Sequence, residues 1–97
     1  MYKKLISIVI PVYNEEESIS RCYAELCAVI NPLQERYDFE FIFMDNCSVD
    51  KSFEHIEQIA SNDLRVRCIS FSKNFGYQRS IWTGYFYSKG EASIVFD

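Results

Sequence analysis

The segment that most constrains the fold is a run of apolar, mostly β-branched residues near the N-terminus, followed at once by polar ones. Residues 5–10 read Leu-Ile-Ser-Ile-Val-Ile, a composition that predicts a strand buried on both faces, as in parallel sheets. Pro11 has no N–H to donate, so we expect the strand to end there. Tyr13, Asn14 and Glu15 follow, and they place polar groups at the carboxyl edge of the sheet, where open α/β folds bind ligands.

The rest of the chain repeats this pattern. The hydrophobic periodicities predict strands over residues 4–11, 39–44, 64–71 and 92–96. They predict helices over residues 16–30, from a cap at Ser48 or Asp50 to residue 60, and over residues 78–88. Alternation of this kind, β-α-β-α-β-α-β, implies an α/β fold: a Rossmann-like parallel sheet with helices on both faces and right-handed crossovers. Within the third helix, Trp82, Tyr85 and Phe86 recur at helical spacing, and we expect them in the core.

Composition narrows the class of protein. At 97 residues with 48% hydrophobic content, the chain is one domain or part of one, and it has ample apolar material for a core. The net charge of −4 argues against nucleic acid as a partner, because such binders carry a basic patch. The four cysteines form no C-x-x-C pair and there is one histidine, which disfavours a zinc site and fits free thiols in a reducing cytoplasm.

All four predicted strands end in polar groups, which would converge on one edge of a parallel sheet and form a binding site there. These groups are Asn14 and Glu15, Asp45 and Asn46, residues 72–74, and Asp97. Lys73 can meet a phosphate there, or it can be a solvated loop lysine. Polar loops are common at any surface, so the convergence alone leaves both interpretations open.

The C-terminal end of the sequence indicates that the chain is a fragment of a longer protein. The sequence stops at Asp97, on a strand that has no following element, so we expect residues 1–97 to be the N-terminal part of a longer protein. In that case the fourth strand is an exposed apolar edge, and self-association through it is expected.

Two common phosphate-binding motifs are missing from the sequence. Strand one is not followed by G-x-G-x-x-G, and there is no G-x-x-x-x-G-K-S/T, so neither a dinucleotide Rossmann site nor a P-loop is supported. Asp and Asn at strand ends suit the donors of a nucleobase and the hydroxyls of a ribose. Carboxylates around a divalent metal would suit a diphosphate.

Three segments, in order, resemble the motifs of family 2 glycosyltransferases of the GT-A fold. Residues 8–16 look like the opening signature of the family, and residues 44–50 resemble its D-D-G-S-x-D motif. Residues 72–76, followed by Gly84 and residues 90–97, are similar to S-R/K-N-F/Y-G…G…G-D/E…D. That last stretch is typical of the polyprenyl-phosphate branch, which includes dolichol-phosphate mannose synthase and bacterial undecaprenyl-phosphate sugar transferases.

The resemblance implies a site and a reaction. The implied nucleotide-binding residues are Pro11, Tyr13, Glu15, Asp45, Asn46, Lys73 and Asp97, with Asp45 and Asn46 beside the base. Asp97 would be the first aspartate of the D-x-D motif, next to a diphosphate bound through Mg²⁺ or Mn²⁺. The implied reaction transfers a sugar from a UDP- or GDP-sugar to a polyprenyl phosphate or saccharide acceptor, in cell-envelope polysaccharide or glycolipid synthesis. The implied location is the cytoplasm, at the inner face of the membrane for the full-length protein.

On this interpretation the 97 residues are the nucleotide-sugar-binding part of a GT-A domain, truncated at the D-x-D motif. The second aspartate of that motif, the acceptor site and the catalytic base would all lie beyond residue 97. No catalytic residue is therefore expected within the fragment, which should bind nucleotide weakly and should not catalyse transfer.

The chain departs from the D-D-G-S pattern at two positions. Asn46 stands in place of the second aspartate and Cys47 in place of the glycine. Asparagine offers a donor as well as an acceptor, which leaves the base preference open. A positive φ at Cys47 would strain the backbone, because cysteine has a Cβ.

Two other classes of protein share parts of this pattern. A flavodoxin-like or phosphoacceptor receiver domain has the same alternation, with Asp45 as the candidate phosphoacceptor. Such a domain needs acidic residues directly at the end of strand one, where residues 11–14 read Pro-Val-Tyr-Asn instead. The third possibility is a non-catalytic nucleotide-binding or interaction module derived from the same fold.

Overall fold

The computed structural model describes residues 3–96, and it confirms the predicted order of elements. The strands are β1 (Lys4–Val12), β2 (Tyr37–Asp45), β3 (Val66–Ser70) and β4 (Ala92–Val95). The helices are α1 (Ile19–Ile30), α2 (Ser52–Asn62) and α3 (Tyr77–Tyr87), and a 3₁₀ turn (Asn31–Leu33) follows α1.

The four strands form one parallel sheet in the order β3-β2-β1-β4. The two central strands pair over their full length, from Lys4 opposite Tyr37 to Val12 opposite Asp45. The chain therefore winds outward from β1 to β3 and then crosses back to place β4 on the other side of β1. Such a reversal creates a crevice at the carboxyl ends of the strands, where open α/β sheets bind ligands.

This strand order excludes the receiver alternative. In flavodoxin-like domains the order is 2-1-3, so the third strand lies beside the first. Here β3 lies at the far edge beside β2, and β4 occupies the place next to β1. The order 3-2-1-4 is instead that of the first four strands of a doubly wound nucleotide-binding fold.

Helices cover both faces of the sheet, as predicted. On one face, α1 and α2 pack over the larger core, whose fully buried side chains include Phe41, Phe43 and Ile56. The other face carries a smaller cluster of Val9, Ile42 and Met44, and α3 packs over it. Both central strands are thus buried on both sides, which explains their near-continuous apolar sequence.

Trp82, Tyr85 and Phe86 of α3 are exposed, so the prediction that they belong to the core was wrong. Ser80 and Gly84 are buried against the sheet, whereas Trp82 and Phe86 are 72% and 81% exposed. Each of these two aromatic residues lies two positions from Gly84, which is about 160° around the helix. A helix that approaches through glycine therefore turns both rings outward.

Most predicted boundaries differ from those observed by a few residues, and those of β1, α1 and β3 illustrate the differences. β1 continues through Pro11 to Val12, because the proline nitrogen faces the β4 side of the strand, beyond the last β1–β4 pair at Val9 and Val95. α1 begins at Ile19 rather than at residue 16, so the three preceding glutamates lie in turns outside the helix. β3 begins at Val66, two residues later than expected.

A buried polar cluster holds the turn before β4 against the two central strands. Glu40 is 8% exposed and accepts hydrogen bonds from Ser7 Oγ (2.5 Å), the Lys89 N–H (2.7 Å) and Arg67 Nη2 (3.0 Å). The Gly90 N–H in turn donates to Ser7 Oγ at 2.9 Å. Burial raises the pKa of Glu40, but the hydrogen bonds and the charge of Arg67 outweigh it, and the net effect is a lowered pKa.

β4 forms one edge of the sheet, as predicted, and Ala92, Ser93 and Ile94 are exposed there. Self-association through this edge remains a prediction. Within residues 3–96, no helix has the length and apolar character needed to cross a membrane.

Candidate functional site

Two loops at the carboxyl edge of the sheet are tied together by hydrogen bonds between main chain and side chains. The Asn14 N–H donates to Ser48 Oγ at 2.9 Å, and Asn14 Oδ1 accepts from the Val49 N–H at 2.8 Å. The Glu15 N–H donates to Ser52 Oγ at 2.8 Å. The loop after β1 and the loop after β2 therefore form one connected rim, in which the N–H groups of Asn14, Glu15 and Val49 are paired within the protein.

Two residues of this rim adopt a positive φ. Asn14 has a φ of 51° and Cys47 a φ of 61°. Asparagine tolerates this left-handed region, but cysteine does so at a cost of roughly 1–2 kcal/mol. Position 47 therefore has a backbone conformation that favours glycine, but cysteine occupies it. The sequence analysis stated that a positive φ here would strain the backbone, and the observed φ is positive.

A cavity of about 240 Å³ opens beside this rim, at the carboxyl ends of the central strands. Its lining comes from the end of β1, the residue after β2 and the N-terminal end of α3: Pro11, Val12, Tyr13, Glu15, Asn46, Asn74, Gly76 and Tyr77. The fold thus brings together four of the residues that the sequence nominated, Pro11, Tyr13, Glu15 and Asn46. The ring of Tyr13 is 46% exposed and offers a flat face to a ligand.

Sequence reasoning missed Gly76 and Tyr77 as part of this cavity. Both lie at the start of α3, which crosses back over the sheet toward β1. Gly76 has a φ of 91°, a conformation that side chains disfavour, and the residue marks the N-terminal end of the helix. The S-R/K-N-F/Y-G resemblance was the signal that could have nominated Gly76.

Asn46 links the end of β2 to the loop before α3. Its side-chain oxygen accepts a hydrogen bond from the Phe75 N–H at 2.9 Å, and the residue is only 6% exposed. The amide thereby sets the position of one cavity wall, residues 74–77, relative to the strand.

Asp45 lies beneath the rim and does not line the cavity. It is 2% exposed, and its carboxylate accepts hydrogen bonds from the Ser48 N–H (3.3 Å) and Ser70 Oγ (3.4 Å). Through these contacts Asp45 holds the ends of β2 and β3 together. A contact between Asp45 and the base remains a prediction. A phosphoacceptor must be accessible to its phosphoryl donor, so an enclosed carboxylate such as that of Asp45 is poorly suited to this role.

Lys73 is exposed at the edge of the cavity rather than in its lining. Its ammonium lies 5.2 Å from the centre of the Phe75 ring, and the guanidinium of Arg79 lies 5.5 Å from the same ring. Two cations therefore flank Phe75 near the start of α3, where the helix dipole also favours an anion. A phosphate contact by Lys73 remains a prediction.

The predicted metal ligand, Asp97, lies outside the described residues. Across residues 3–96, no group of three or more His, Cys, Asp and Glu side chains is arranged to hold a metal ion. The described residues alone therefore do not supply a metal site.

A larger groove of about 340 Å³ lies between α1 and α2, lined by residues that include Tyr23, His55 and Asn62. It is formed by helix surfaces and receives none of the strand-end groups. We therefore place the candidate site in the smaller cavity, where the strand ends and the start of α3 meet.

The fold is a Rossmann-like α/β domain, and the candidate site lies at the reversal of strand order. The chain belongs to glycosyl transferase family 2, whose sequence profile matches residues 7–97. The resemblance drawn from the three motifs is thereby confirmed.

Two relatives illustrate the range of similar proteins. The chain is 42% identical over 91 residues to the uncharacterized glycosyltransferase YkcC of Bacillus subtilis, covering 94% of this chain and 28% of the relative. It is 33% identical over 93 residues to the undecaprenyl-phosphate 4-deoxy-4-formamido-L-arabinose transferase of Pseudomonas fluorescens, covering 95% of this chain and 27% of the relative. The chain thus spans little more than a quarter of the length of these proteins.

Solved structures show the same fold. The Staphylococcus aureus TarS fragment 1–349 in complex with UDP has a TM-score of 0.80 and 25% identity, covering 99% of this chain and 27% of that one. The mannosyltransferase PcManGT of Pyrobaculum calidifontis, in complex with GDP-Man and Mn²⁺, has a TM-score of 0.70 and 18% identity, covering 94% and 26%. At that identity, the second match supports the fold alone.

Proposed function

We propose that residues 1–97 are the nucleotide-sugar-binding part of a glycosyltransferase that transfers a sugar from a nucleoside diphosphate sugar to an acceptor. The observation that carries this proposal is the cavity at the carboxyl end of β1, lined by Pro11, Tyr13, Glu15 and Asn46 in a chain of glycosyl transferase family 2. UDP is the nucleotide that we expect, because the similar TarS structure contains it.

In this proposal, different residues of the cavity bind the base, the ribose and the diphosphate. Pro11 and Tyr13 provide flat apolar surface for a base, and Glu15 provides a carboxylate that accepts hydrogen bonds from base or ribose donors. The start of α3 and the exposed cation of Lys73 provide positive potential for the diphosphate. These residues bind and orient the donor substrate, and none of them is assigned a covalent step.

A divalent metal completes the proposal. Mg²⁺ or Mn²⁺ would neutralise the diphosphate and assist departure of the nucleotide, and Asp97 is the residue of this chain proposed to contact it. PcManGT, which shares the fold, contains Mn²⁺ with its GDP-Man.

The acceptor that we propose is a polyprenyl phosphate. The support is the similarity to the Pseudomonas transferase, whose name specifies undecaprenyl phosphate, together with the motif at residues 72–76. A lipid acceptor would place the whole protein at the inner face of the membrane.

Isothermal titration of the chain with UDP and GDP, each with and without Mn²⁺, tests nucleotide binding. We expect UDP to bind, and to bind at least about tenfold more weakly to Tyr13→Ala, which loses the exposed aromatic face. His55→Ala, in the groove between α1 and α2, is the matched control and should leave the affinity unchanged. If neither nucleotide binds, or if both variants bind like the wild type, the proposed site is wrong.

A transfer assay tests whether residues 1–97 bind the donor but lack the catalytic groups. A radiolabelled UDP-sugar and a short-chain polyprenyl phosphate should yield no product with residues 1–97 alone. Product formation by this chain would show that the catalytic groups lie within it, contrary to the proposal.

A further inference from the structure

Four aromatic side chains of α3 form a surface that we call the α3 aromatic face: Trp82, Tyr85, Phe86 and Tyr87. All four are exposed, and Trp82 and Phe86 lie on the side of the helix opposite Gly84, which packs on the sheet. The rings contact one another edge to face, with centroids 6.4 Å apart for Trp82 and Tyr85 and 5.2 Å apart for Phe86 and Tyr87. A cluster of exposed apolar side chains marks an interaction site, which isolated ones do not.

The segment that carries this face is basic, although the chain as a whole is acidic. Lys73, Arg79 and Lys89 are exposed within residues 72–90, and all 14 acidic residues of the chain lie outside that segment. Arg79 lies three positions before Trp82 on the same side of α3, and Lys89 follows the last turn of the helix. Cations therefore lie at both ends of the α3 aromatic face, which makes it complementary to an anionic surface.

We propose that the α3 aromatic face docks the protein on an anionic membrane surface, with Trp82 and Phe86 in the interfacial region and Arg79 and Lys89 against the headgroups. Tryptophan and tyrosine combine an apolar ring with a polar N–H or O–H, and they are enriched where membrane meets water. Each Lys or Arg beside anionic lipid adds to the attraction. This inference goes beyond the proposed function, and nucleotide binding can fail without affecting it.

Two other occupants match the face less well. If a second copy paired with it face to face, the contact would bring the same basic segment of both chains together, and the like charges would repel. A protein partner would need a groove complementary to four rings that project from one convex helix. A fluid interface has no fixed shape to match, so it accommodates the rings as they stand.

Docking by this face would also bring the cavity close to lipid. Gly76 and Tyr77 line the cavity at the start of α3, and Trp82 lies about one and a half turns further along the helix. A donor substrate in the cavity would then lie near the surface that holds the proposed polyprenyl phosphate acceptor.

The fluorescence of Trp82 tests the contact directly, because the chain has a single tryptophan. The protein is titrated with vesicles of phosphatidylglycerol and phosphatidylcholine in equal parts, and with vesicles of phosphatidylcholine alone. With the mixed vesicles we expect a blue shift of the emission and quenching by lipids brominated on their acyl chains. Binding to phosphatidylcholine alone should be at least about fivefold weaker. Unchanged emission, or equal binding to both kinds of vesicle, overturns the proposal.

Vesicle co-sedimentation of variants tests whether this face is the one that binds. Phe86→Gln should bind the mixed vesicles at least about fivefold more weakly, and Lys89→Gln about threefold to fivefold more weakly. Val29→Gln removes an exposed apolar side chain from α1, on the other face of the sheet, and Lys51→Gln removes an exposed cation next to α2. Both controls should bind like the wild type. Equal binding by Phe86→Gln and Val29→Gln would assign the lipid contact to another surface.

Sedimentation velocity without lipid tests for a second copy on the same face. We expect Phe86→Gln to sediment like the wild type at equal concentration. Oligomers of the wild type that dissociate in Phe86→Gln but persist in Val29→Gln would assign the α3 aromatic face to self-association and overturn the membrane proposal.

Discussion

Gly84 on α3 lies so close to Val9 on β1 that a methyl group on its Cα would overlap Cγ1 of the valine and approach Cγ2 to 3.2 Å. Gly84 is buried, and it lies in the middle of a helix, where glycine costs about 1 kcal/mol relative to alanine. The close approach of helix and sheet is the reason that glycine occupies this position.

The substitution Gly84→Ala should therefore destabilise the fold despite its better helix propensity. Overpacking at a tight contact costs about 1–3 kcal/mol and the better helix propensity returns about 1 kcal/mol, so we expect a net loss of up to about 2 kcal/mol in the free energy of unfolding. Urea denaturation measures it. In the double variant with Val9→Ala, the two effects should be non-additive by at least about 1 kcal/mol, because the smaller side chain makes room for the methyl group. Strict additivity would contradict this contact.

The buried carboxylate of Glu40 should make stability depend on pH. Its folded-state pKa lies below the ordinary value of 4.5, so its contribution is present above that value and is lost as pH falls through the lower folded pKa. Glu40→Gln should cost about 2 kcal/mol at pH 7, because the partly exposed Arg67 loses its partner. The difference in unfolding free energy from the wild type should shrink toward pH 3. Glu57→Gln, on the exposed side of α2, should show no such difference at any pH.

Relief of the strained backbone at Cys47 should stabilise the chain. Cys47→Gly removes a left-handed penalty of about 1–2 kcal/mol and adds an unfolded-state entropy cost of about 0.5–1 kcal/mol, for a net gain of up to about 1.5 kcal/mol. Cys47→Ala keeps the Cβ and should gain nothing. Thermal denaturation of the two variants decides the point, and equal melting temperatures would mean that the φ of 61° carries no strain.

The outward aromatic residues of α3 should contribute little to the stability of this chain. Trp82→Gln and Phe86→Gln should each change the unfolding free energy by less than about 0.5 kcal/mol, because both side chains are mostly exposed. Phe43→Ala, in the core, should cost about 3–5 kcal/mol in the same assay. A large loss for either glutamine variant would restore the interpretation of these residues as core.

The edge position of β4 should govern self-association. Ile94 is 52% exposed there, and charged residues on an edge strand discourage pairing with another chain. Sedimentation velocity should show oligomers of the wild type at high concentration and a shift toward monomer for Ile94→Lys. Lys89→Glu, which changes charge outside the strand, should not produce this shift. Identical sedimentation of all three proteins would remove β4 as the contact.

The order of strands and helices was predictable because the burial of each segment determines its local pattern of apolar residues. Residues 5–10 and 39–44 are continuous apolar runs, since both central strands are covered on two faces. The motifs at residues 8–16, 44–50 and 72–76 were likewise sufficient to indicate the family that the sequence profile establishes. Tyr13, Glu15 and Asn46 could be nominated as one site because carboxyl ends of parallel strands meet at one edge, and the family resemblance added Pro11.

Other properties were decided only by tertiary structure. Helical spacing gives Trp82 and Phe86 a common side of α3, but the close contact of Gly84 with Val9 decides which side faces the sheet. The sequence alone could not show that Asp45 is enclosed beneath the rim while Asn46 lines the cavity, because that difference depends on partners 25 and 29 residues away, Ser70 and Phe75. Local pattern thus determined which segments fold into strands and helices and where their polar ends meet. The orientation of individual side chains at that meeting point depends on long-range contacts, which the periodicity of a single segment does not record.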